Sequence, residues 1–269
     1  RVLLIAYLAL CLVARLTYTK LLFPAPSLAA PPPLDEGGRL LELPQTDGSH
    51  TAALYFPPPP EASPRRVVVM FHGNGQTMYG EVDHARVLRA HGYGVAIVEY
   101  RGYGLTYGSG AAPSEAMLYE DGEAVLAYLD REEHIPADRV VLWGWSLGSG
   151  VAAEMARRGH GSRLVLLSPF TSVVEIGKRM LPFLPVSLLM SHRFDTLSKA
   201  TSIHMPTIVV HGDVDEVIPF EMGERVARAI PNAKLVRVTG GHHADLLYEE
   251  GLGTPHAQEV FDLILAHMK

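Results

Sequence analysis

The chain of 269 residues is poor in cysteine and has no concentration of basic residues. Its one cysteine, Cys11, lies in the N-terminal hydrophobic stretch, so no disulfide framework supports the rest of the chain. A domain without disulfides folds on either side of a membrane, so the compartment stays open. The formal net charge is −6, with no Lys/Arg block, which argues against nucleic acid as a partner. Repeats, Cys/His clusters and a separate phosphate loop are also missing, so we expect no metal and no organic cofactor.

A long hydrophobic run occurs at the N-terminus. Val2–Ala14 is an unbroken stretch of 13 apolar residues, and a largely apolar pattern continues to Phe23. A helix over Val2–Phe23 would be about 33 Å long, which spans a hydrocarbon core if Arg15 and Lys20 extend toward the headgroups. We therefore expect residues 1–23 to be a membrane-anchor helix.

Two alternatives to an anchor remain open. One is a cleaved secretory signal, for which residues 27–29 (Ser-Leu-Ala) form the best small-residue site. The other is a helix packed on the surface of the domain or on a partner. The basic residues flanking the run are too balanced to indicate the side of the membrane. Because the sequence starts at Arg1 rather than at a methionine, further residues of this segment can precede it.

Composition changes after the hydrophobic segment. Residues 24–34 form a proline-rich linker, and we place the catalytic domain at 35–269. In this domain short, wholly apolar runs alternate with longer amphipathic segments, after an antiparallel pair predicted at 39–43 and 51–56. The apolar runs are Val67–Phe71, Val95–Val98, Val140–Trp143, Leu164–Leu167, Ile208–Val210 and Leu235–Val238. This alternation predicts an α/β fold with a mostly parallel central sheet flanked by helices.

Residues 170–205 interrupt the alternation. Prolines break long helices in this stretch, and its apolar residues, such as Leu188-Leu189-Met190, need something to cover them. We predict a small helical cap. One interpretation is a helical layer packed on the sheet. The other is a cap whose apolar face lines an acyl pocket or meets lipid, and the same segment can do both.

The motif Gly144-Trp145-Ser146-Leu147-Gly148 matches Gly-x-Ser-x-Gly. It follows a predicted strand and opens a predicted helix, which is the strand-turn-helix context of a nucleophile elbow. The turn holds the serine in a strained backbone conformation, and glycines stand where a Cβ would clash with neighbouring elements. We therefore predict Ser146 as a nucleophile rather than a helix-capping serine.

A nucleophilic serine needs a base and an acid that orients it, in the chain order Ser, Asp or Glu, His. Two loops at strand ends supply candidates. We favour Asp215 over Asp213, because Asp213 is close enough to the turn to form a hydrogen bond with the backbone of the turn. We favour His242 over His243, because Gly240-Gly241 gives the backbone freedom to aim the next side chain.

Acyl transfer also needs N–H donors for the developing oxyanion. The backbone N–H of Leu147, directly after the nucleophile, is one candidate. The second is the N–H of Asn74, in the glycine-containing loop 72–75 after the first parallel strand. His72, at the start of this loop, is interpreted as a structural hydrogen-bonding residue.

With these residues placed, the region from about residue 35 to the end resembles the α/β-hydrolase-domain serine hydrolases. Within them it resembles the membrane-anchored subgroup that includes protein depalmitoylases and bacterial relatives. The matching stretches are Phe71–Gly75, Tyr100–Gly104, Gly144–Gly150, Arg193–Asp195, His211–Asp215 and Gly241-His242. The resemblance implies Asp215 as the acid and His242, which follows a glycine, as the base. The chain departs from it at Glu99 and His243, and its N-terminus lacks the cysteine cluster of palmitoylated members.

These observations predict a serine hydrolase that cleaves acyl ester or thioester bonds through an acyl-serine intermediate. The anchor and the apolar insertion favour a small-molecule or lipidated acyl substrate at a membrane. A prolyl-oligopeptidase-like serine peptidase is one alternative, although no charged cluster for a peptide terminus is evident. A catalytically silent, membrane-tethered binding protein is another, although all three members of a triad are present.

Overall fold

The computed structural model describes residues 1–31, 34, 37–106, 112–247 and 256–269. Within them the strands form a single sheet in the order β1-β2-β4-β3-β5-β6-β7-β8. The strands are β1 Arg39–Pro44, β2 His50–Phe56, β3 Val67–Phe71, β4 Gly94–Glu99, β5 Val140–Trp145, β6 Arg163–Leu167, β7 Thr207–Gly212 and β8 Ala233–Val238. The α-helices are α1 Val2–Leu22, α2 Val82–Ala90, α3 Glu115–Arg131, α4 Leu147–Arg157, α5 Val173–Met180, α6 Val186–Leu189, α7 Thr196–Ala200, α8 Phe220–Ala229 and α9 Ala257–Met268.

The sheet is parallel from β3 onward, and β1 and β2 form an antiparallel pair at one edge. The predicted α/β class is therefore confirmed. The central strands are apolar without alternation because helices cover both faces of the sheet. In β3, Val67, Val69 and Phe71 pack on the side of α3, α4 and α8, whereas Val68 and Met70 pack on the side of α2 and α9.

The carboxyl ends of the parallel strands define one edge of the sheet, where open α/β sheets place their sites. β3, β5, β7 and β8 end there in the loops that begin at His72, Ser146, Asp213 and Thr239. These four loops carry the residues singled out in the sequence as candidates for chemistry.

Helices α5, α6 and α7 form the cap, inserted between β6 and β7. Its first helix, α5, is capped by the preceding residue Ser172, whose Oγ accepts the N–H of Glu175 at 3.1 Å. Its last helix is tied to the body of the domain, since Lys199 Nζ lies 3.1 Å from Glu154 Oε2 on α4. The cap is therefore a helical layer fixed to the domain.

Helix α1 is 21 residues long with a mean hydropathy of 2.0, long and apolar enough to cross a membrane. It does not stand free of the domain. Tyr7 Oη donates to the carbonyl of Phe183 at 3.0 Å, and Arg15 Nη1 donates to the carbonyl of Leu189 at 2.9 Å. The buried Cys11 packs in a small cluster with the cap residues Val174, Leu184 and Val186. The helix thus lies along the cap, and most of its other apolar side chains are exposed.

The proline-rich segment after α1 is also attached to the domain. Leu28 N–H donates to the carbonyl of Gly104 at 3.0 Å, and Gly104 N–H donates to the carbonyl of Pro26 at 2.8 Å. Gly104 has a φ of +49°, and a Cβ there would stand 1.9 Å from Glu99 Oε2. A glycine is required at this position because the linker and the buried Glu99 both approach it.

Candidate active site

Ser146 occupies a sharp turn between β5 and α4. Its φ is +51° and its ψ −116°, a region in which a residue other than glycine is strained by about 1–3 kcal/mol. A Cβ on Gly148 would stand 1.9 Å from the carbonyl oxygen of Phe71, and one on Gly144 would stand 2.3 Å from the carbonyl oxygen of Gly148. The two glycines therefore permit the tight strand-to-helix packing that lifts the serine hydroxyl above the sheet edge.

The serine hydroxyl is in contact with a histidine and, through it, with a carboxylate. His243 Nε2 lies 3.0 Å from Ser146 Oγ, and His243 Nδ1 lies 2.8 Å from Asp215 Oδ2. With Nδ1 protonated toward the carboxylate, Nε2 is free to accept the serine proton. These are the distances required of a nucleophile, a general base and an orienting acid.

The choice of His242 as the base is wrong in this structure. The His242 side chain points outward, is 58% exposed, and places Nδ1 3.1 Å from Glu216 Oε2. Gly241 does not serve to aim His242, because its backbone packs on the Asp215 loop. Its carbonyl accepts the N–H of Val214, and a Cβ on Gly212 would stand 2.1 Å from that oxygen.

The neighbouring residue points the other way and fills the position instead. The backbone of His243 is held by Trp145, whose Nε1–H donates to its carbonyl at 3.2 Å. Both histidines follow the same glycine pair, and consecutive side chains in a loop point in different directions. Spacing alone therefore could not choose between them. The Trp145 contact, made between distant parts of the chain, has no counterpart in the sequence pattern.

Asp215 is buried and surrounded by donors. Oδ1 accepts the backbone N–H groups of Val217 and Ile218, at 2.9 and 2.7 Å, and Oδ2 accepts the Ser168 hydroxyl at 2.8 Å. Burial opposes ionisation of this carboxyl, but hydrogen bonds from His211, His243 and the Ile218 N–H outweigh it. They hold the pKa of Asp215 well below its usual range, so the group is a carboxylate at neutral pH.

Asp213 has a different role, in agreement with its interpretation as a residue that bonds backbone. Its Oδ1 accepts the N–H of Gly240 at 2.7 Å and its Oδ2 pairs with Arg237 Nε at 3.0 Å. Asp213 therefore fastens the Asp215 loop to the histidine loop. None of the hydrogen bonds and ion pairs described for Asp213 involves Ser146.

The candidate oxyanion donors lie beside the serine. The N–H of Gly73 is occupied by Gln76 Oε1, at 2.9 Å, so this amide is not available to an oxyanion, and the predicted donor is the next one, that of Asn74. Leu147 is the first residue of α4, where a backbone N–H has no acceptor within the helix. Asn74, Leu147 and Ser146 border one cavity, which is consistent with the two predicted donors.

His72 lies beneath the Asn74 loop and does not reach the site. It is fully buried, with Nε2 3.1 Å from Glu99 Oε1 and Nδ1 2.9 Å from the carbonyl of Gly73. Glu99 also accepts the N–H of Met78. The glutamate that departs from the usual family residue thus supports this loop from below.

Two cavities meet at Ser146. One, of about 290 Å³, is lined mainly by apolar side chains, which come from the cap, from α1 and from the loop that contains Val217 and Ile218. The other, of about 650 Å³, is more polar and is bordered by Gln76, Glu216 and His243. In the described part of the chain no group of His, Cys, Asp or Glu side chains is arranged to hold a metal ion.

Comparison with known proteins identifies the family. Residues 62–191 match the family model described as serine aminopeptidase, S33. The chain is 32% identical to an uncharacterized protein of Mycobacterium tuberculosis over 86% of this chain and 80% of that protein. The chain belongs to the α/β-hydrolase family of serine hydrolases. It is also 31% identical to the lysophosphatidylserine lipase ABHD12 of Danio rerio, over 71% of this chain but only 53% of that protein.

Solved structures with the same fold include esterases. The Pyrococcus furiosus esterase Pf2001 superimposes on this hydrolase with a TM-score of 0.68 at 17% identity, covering 91% of this chain and 97% of that one. Est1E of Butyrivibrio proteoclasticus, solved with ferulic acid, gives 0.66 at 18% identity, covering 85% and 99%. At this identity the likeness concerns the fold.

Proposed function

We propose that this hydrolase cleaves acyl ester or thioester bonds through an acyl-Ser146 intermediate, on a lipophilic acyl substrate at a membrane. The observation that carries the proposal is the continuous chain of contacts from Ser146 Oγ to His243 Nε2 and from His243 Nδ1 to Asp215, at 3.0 and 2.8 Å. This chain ends at a strained serine that borders an apolar cavity.

The reaction follows from these positions. Ser146 Oγ attacks the acyl carbon while His243 Nε2 takes its proton, and Asp215 stabilises the resulting imidazolium. The oxyanion accepts the N–H groups of Asn74 and Leu147, each worth roughly 3–4 kcal/mol when aimed in advance. His243 then protonates the leaving alcohol or thiol. In the second half it takes a proton from water, which attacks the acyl-enzyme and restores Ser146.

The two cavities support an acyl substrate with unlike ends. An acyl chain fits the apolar cavity on the cap side, and the more polar cavity on the His243 side suits the leaving group. A lipid-like substrate agrees with the relative named lysophosphatidylserine lipase. The length, hydropathy and exposed apolar side chains of α1 support a membrane location, with α1 as the single anchor of residues 1–23.

An aminopeptidase is the second candidate, because the matching family model is described by that activity. A free peptide amino group would need an unengaged carboxylate near Ser146. Glu216 and Asp245 border the polar cavity, where Glu216 faces His242 Nδ1 and Asp245 accepts the His242 N–H. The apolar cavity on the other side of Ser146 favours the ester or thioester. A silent binding protein is disfavoured because it would not need the aligned Ser146, His243 and Asp215.

The direct test is hydrolysis of p-nitrophenyl esters from acetate to palmitate by the wild type, Ser146→Ala and Ser162→Ala. Ser162 is a matched control at the opposite edge of the sheet, where its hydroxyl donates to the carbonyl of Val140. We expect turnover by the wild type and Ser162→Ala and none above background by Ser146→Ala. A folded wild type that hydrolyses aminoacyl amides but no ester would support the peptidase. A wild type inert on both substrate classes would refute the hydrolytic proposal.

A further inference from the structure

The last turn of α1 is part of the wall of the apolar cavity beside Ser146. Tyr18, Leu21 and Leu22 border this cavity together with Ser146 itself. The opposite wall comes from the cap, where Ile176, Met180 and Met190 are examples. A helix whose length and composition suit a membrane therefore reaches the reacting serine.

Polar contacts along α1 hold this helix in position against the cap. Tyr7 and Arg15 bond cap carbonyls, and Tyr18 Oη lies 2.6 Å from Ser191 Oγ. The Tyr18 oxygen also accepts the N–H of Ser191, at 3.1 Å. The contacts extend over residues 7 to 18, about 16 Å of helix. Such a spread of specific bonds fixes both the rotation and the axial position of α1 on the cap.

The end of α1 also bonds the loop that carries a candidate oxyanion donor. The carbonyl of Leu22 accepts Asn74 Nδ2–H at 2.7 Å, and Asn74 Oδ1 accepts the hydroxyl of Tyr103 at 2.9 Å. The Asn74 side chain is thus clamped between α1 and the domain. The helix that forms the cavity wall therefore also holds the side chain of Asn74.

We infer that α1 and the cap form a composite acyl-binding site, in which Leu22 sets the length of acyl chain that the enzyme accepts and the 76% exposed Leu21 borders the rim. This inference rests on the proposed acyl transfer at Ser146. The ligand class is a fatty acyl chain, because the cavity has a volume of about 290 Å³ and is almost without polar lining. Two exposed cap residues outside the cavity lining, Phe183 and Leu188, continue the apolar surface of α1.

The test enlarges or fills this wall in the full-length chain, solubilised in detergent, with p-nitrophenyl esters of increasing length as probes. Leu22→Trp fills the cavity from the helix side, and Leu21→Trp adds bulk at the exposed rim. Leu22→Ala enlarges it and keeps the Leu22 carbonyl that holds Asn74. The matched controls are Leu12→Trp and Leu12→Ala, since Leu12 is exposed on the same helix about 15 Å before Leu22.

The readout is the ratio of kcat/KM for the octanoate ester to that for the acetate ester. Each buried methylene contributes about four-fold to binding, so excluding three methylenes lowers the ratio about 60-fold. We expect Leu22→Trp to lower the ratio at least ten-fold, Leu21→Trp to lower it less, and Leu22→Ala to move the optimum to longer chains. The Leu12 variants should match the wild type.

Because the readout is a ratio within each protein, a variant with a smaller folded fraction still reports it. The Leu21 and Leu22 variants can instead show the same kcat/KM ratio and the same optimal acyl chain length as the Leu12 controls. That result would overturn the inference, while the proposed function would stand. Failure of the proposed function is a different result, in which the wild type hydrolyses no ester of any length.

Discussion

Exchange of His243 for alanine removes the side chain that links Ser146 to Asp215. In the wild type its Nε2 lies 3.0 Å from Ser146 Oγ and its Nδ1 2.8 Å from Asp215 Oδ2. General-base catalysis contributes about 10²–10⁴-fold to such reactions. Because His243 is also held in position by the acid, we expect its contribution at the upper end of this range. We therefore expect His243→Ala to lower kcat/KM about 10³–10⁴-fold, or about 4–5.5 kcal/mol of transition-state stabilisation.

His242→Ala is the matched comparison, one residue away in the same loop. Its side chain is 58% exposed and faces Glu216, which is 60% exposed, and such exposed pairs are worth about 0–1 kcal/mol. We expect this variant to lose less than about ten-fold.

The assay is steady-state hydrolysis of a short p-nitrophenyl ester, with urea unfolding of each variant to show that the domain is folded. The double variant should equal His243→Ala, because a residue outside the reacting group adds little once the base is gone. A loss of 10³-fold in His242→Ala with less than ten-fold in His243→Ala would refute the assignment.

Two further predictions concern stability. Gly148→Ala places a Cβ 1.9 Å from the Phe71 carbonyl oxygen, and because backbone cannot move away cheaply we expect a loss of about 3 kcal/mol in the free energy of unfolding, measured with urea. Glu154 is paired with Arg157, Arg158 and Lys199, which lower its pKa from 4.5 to about 2 against the opposing effect of burial. Because the native pKa lies below the unfolded one, this stabilisation is complete above about pH 4.5 and is lost as pH falls toward 2. Glu154→Gln should therefore be about 1–2 kcal/mol less stable at pH 7, after allowance for solvent screening. Urea unfolding at a series of pH values should show the difference vanishing near pH 2, and a constant difference would contradict the reasoning.

The fold could be predicted because local patterns carry it. Wholly apolar runs such as Val67–Phe71 indicate strands covered on both faces, and the alternation with amphipathic segments indicates a parallel sheet. The position of Ser146 follows from the same local logic, since Gly-x-Ser-x-Gly between a strand and a helix is one short continuous segment.

The base could not be chosen in this way because its choice depends on tertiary contacts. His242 and His243 share every local signal, and the difference arises where Gly241 packs on the Asp215 loop and Trp145 holds the His243 carbonyl. The role of α1 was hidden for a similar reason. Its composition indicates a membrane helix, whereas its contact with Asn74 joins residues 52 positions apart.

The role of Ser146 as the nucleophile is tested most directly by labelling the detergent-solubilised 269-residue chain with a fluorophosphonate, followed by peptide mass spectrometry to locate the adduct. We predict one covalent adduct, on the peptide that contains Ser146, formed much more slowly in His243→Ala and not formed in Ser146→Ala. An unlabelled Ser146 in folded wild type, or an adduct on another residue that persists in Ser146→Ala, would contradict this prediction.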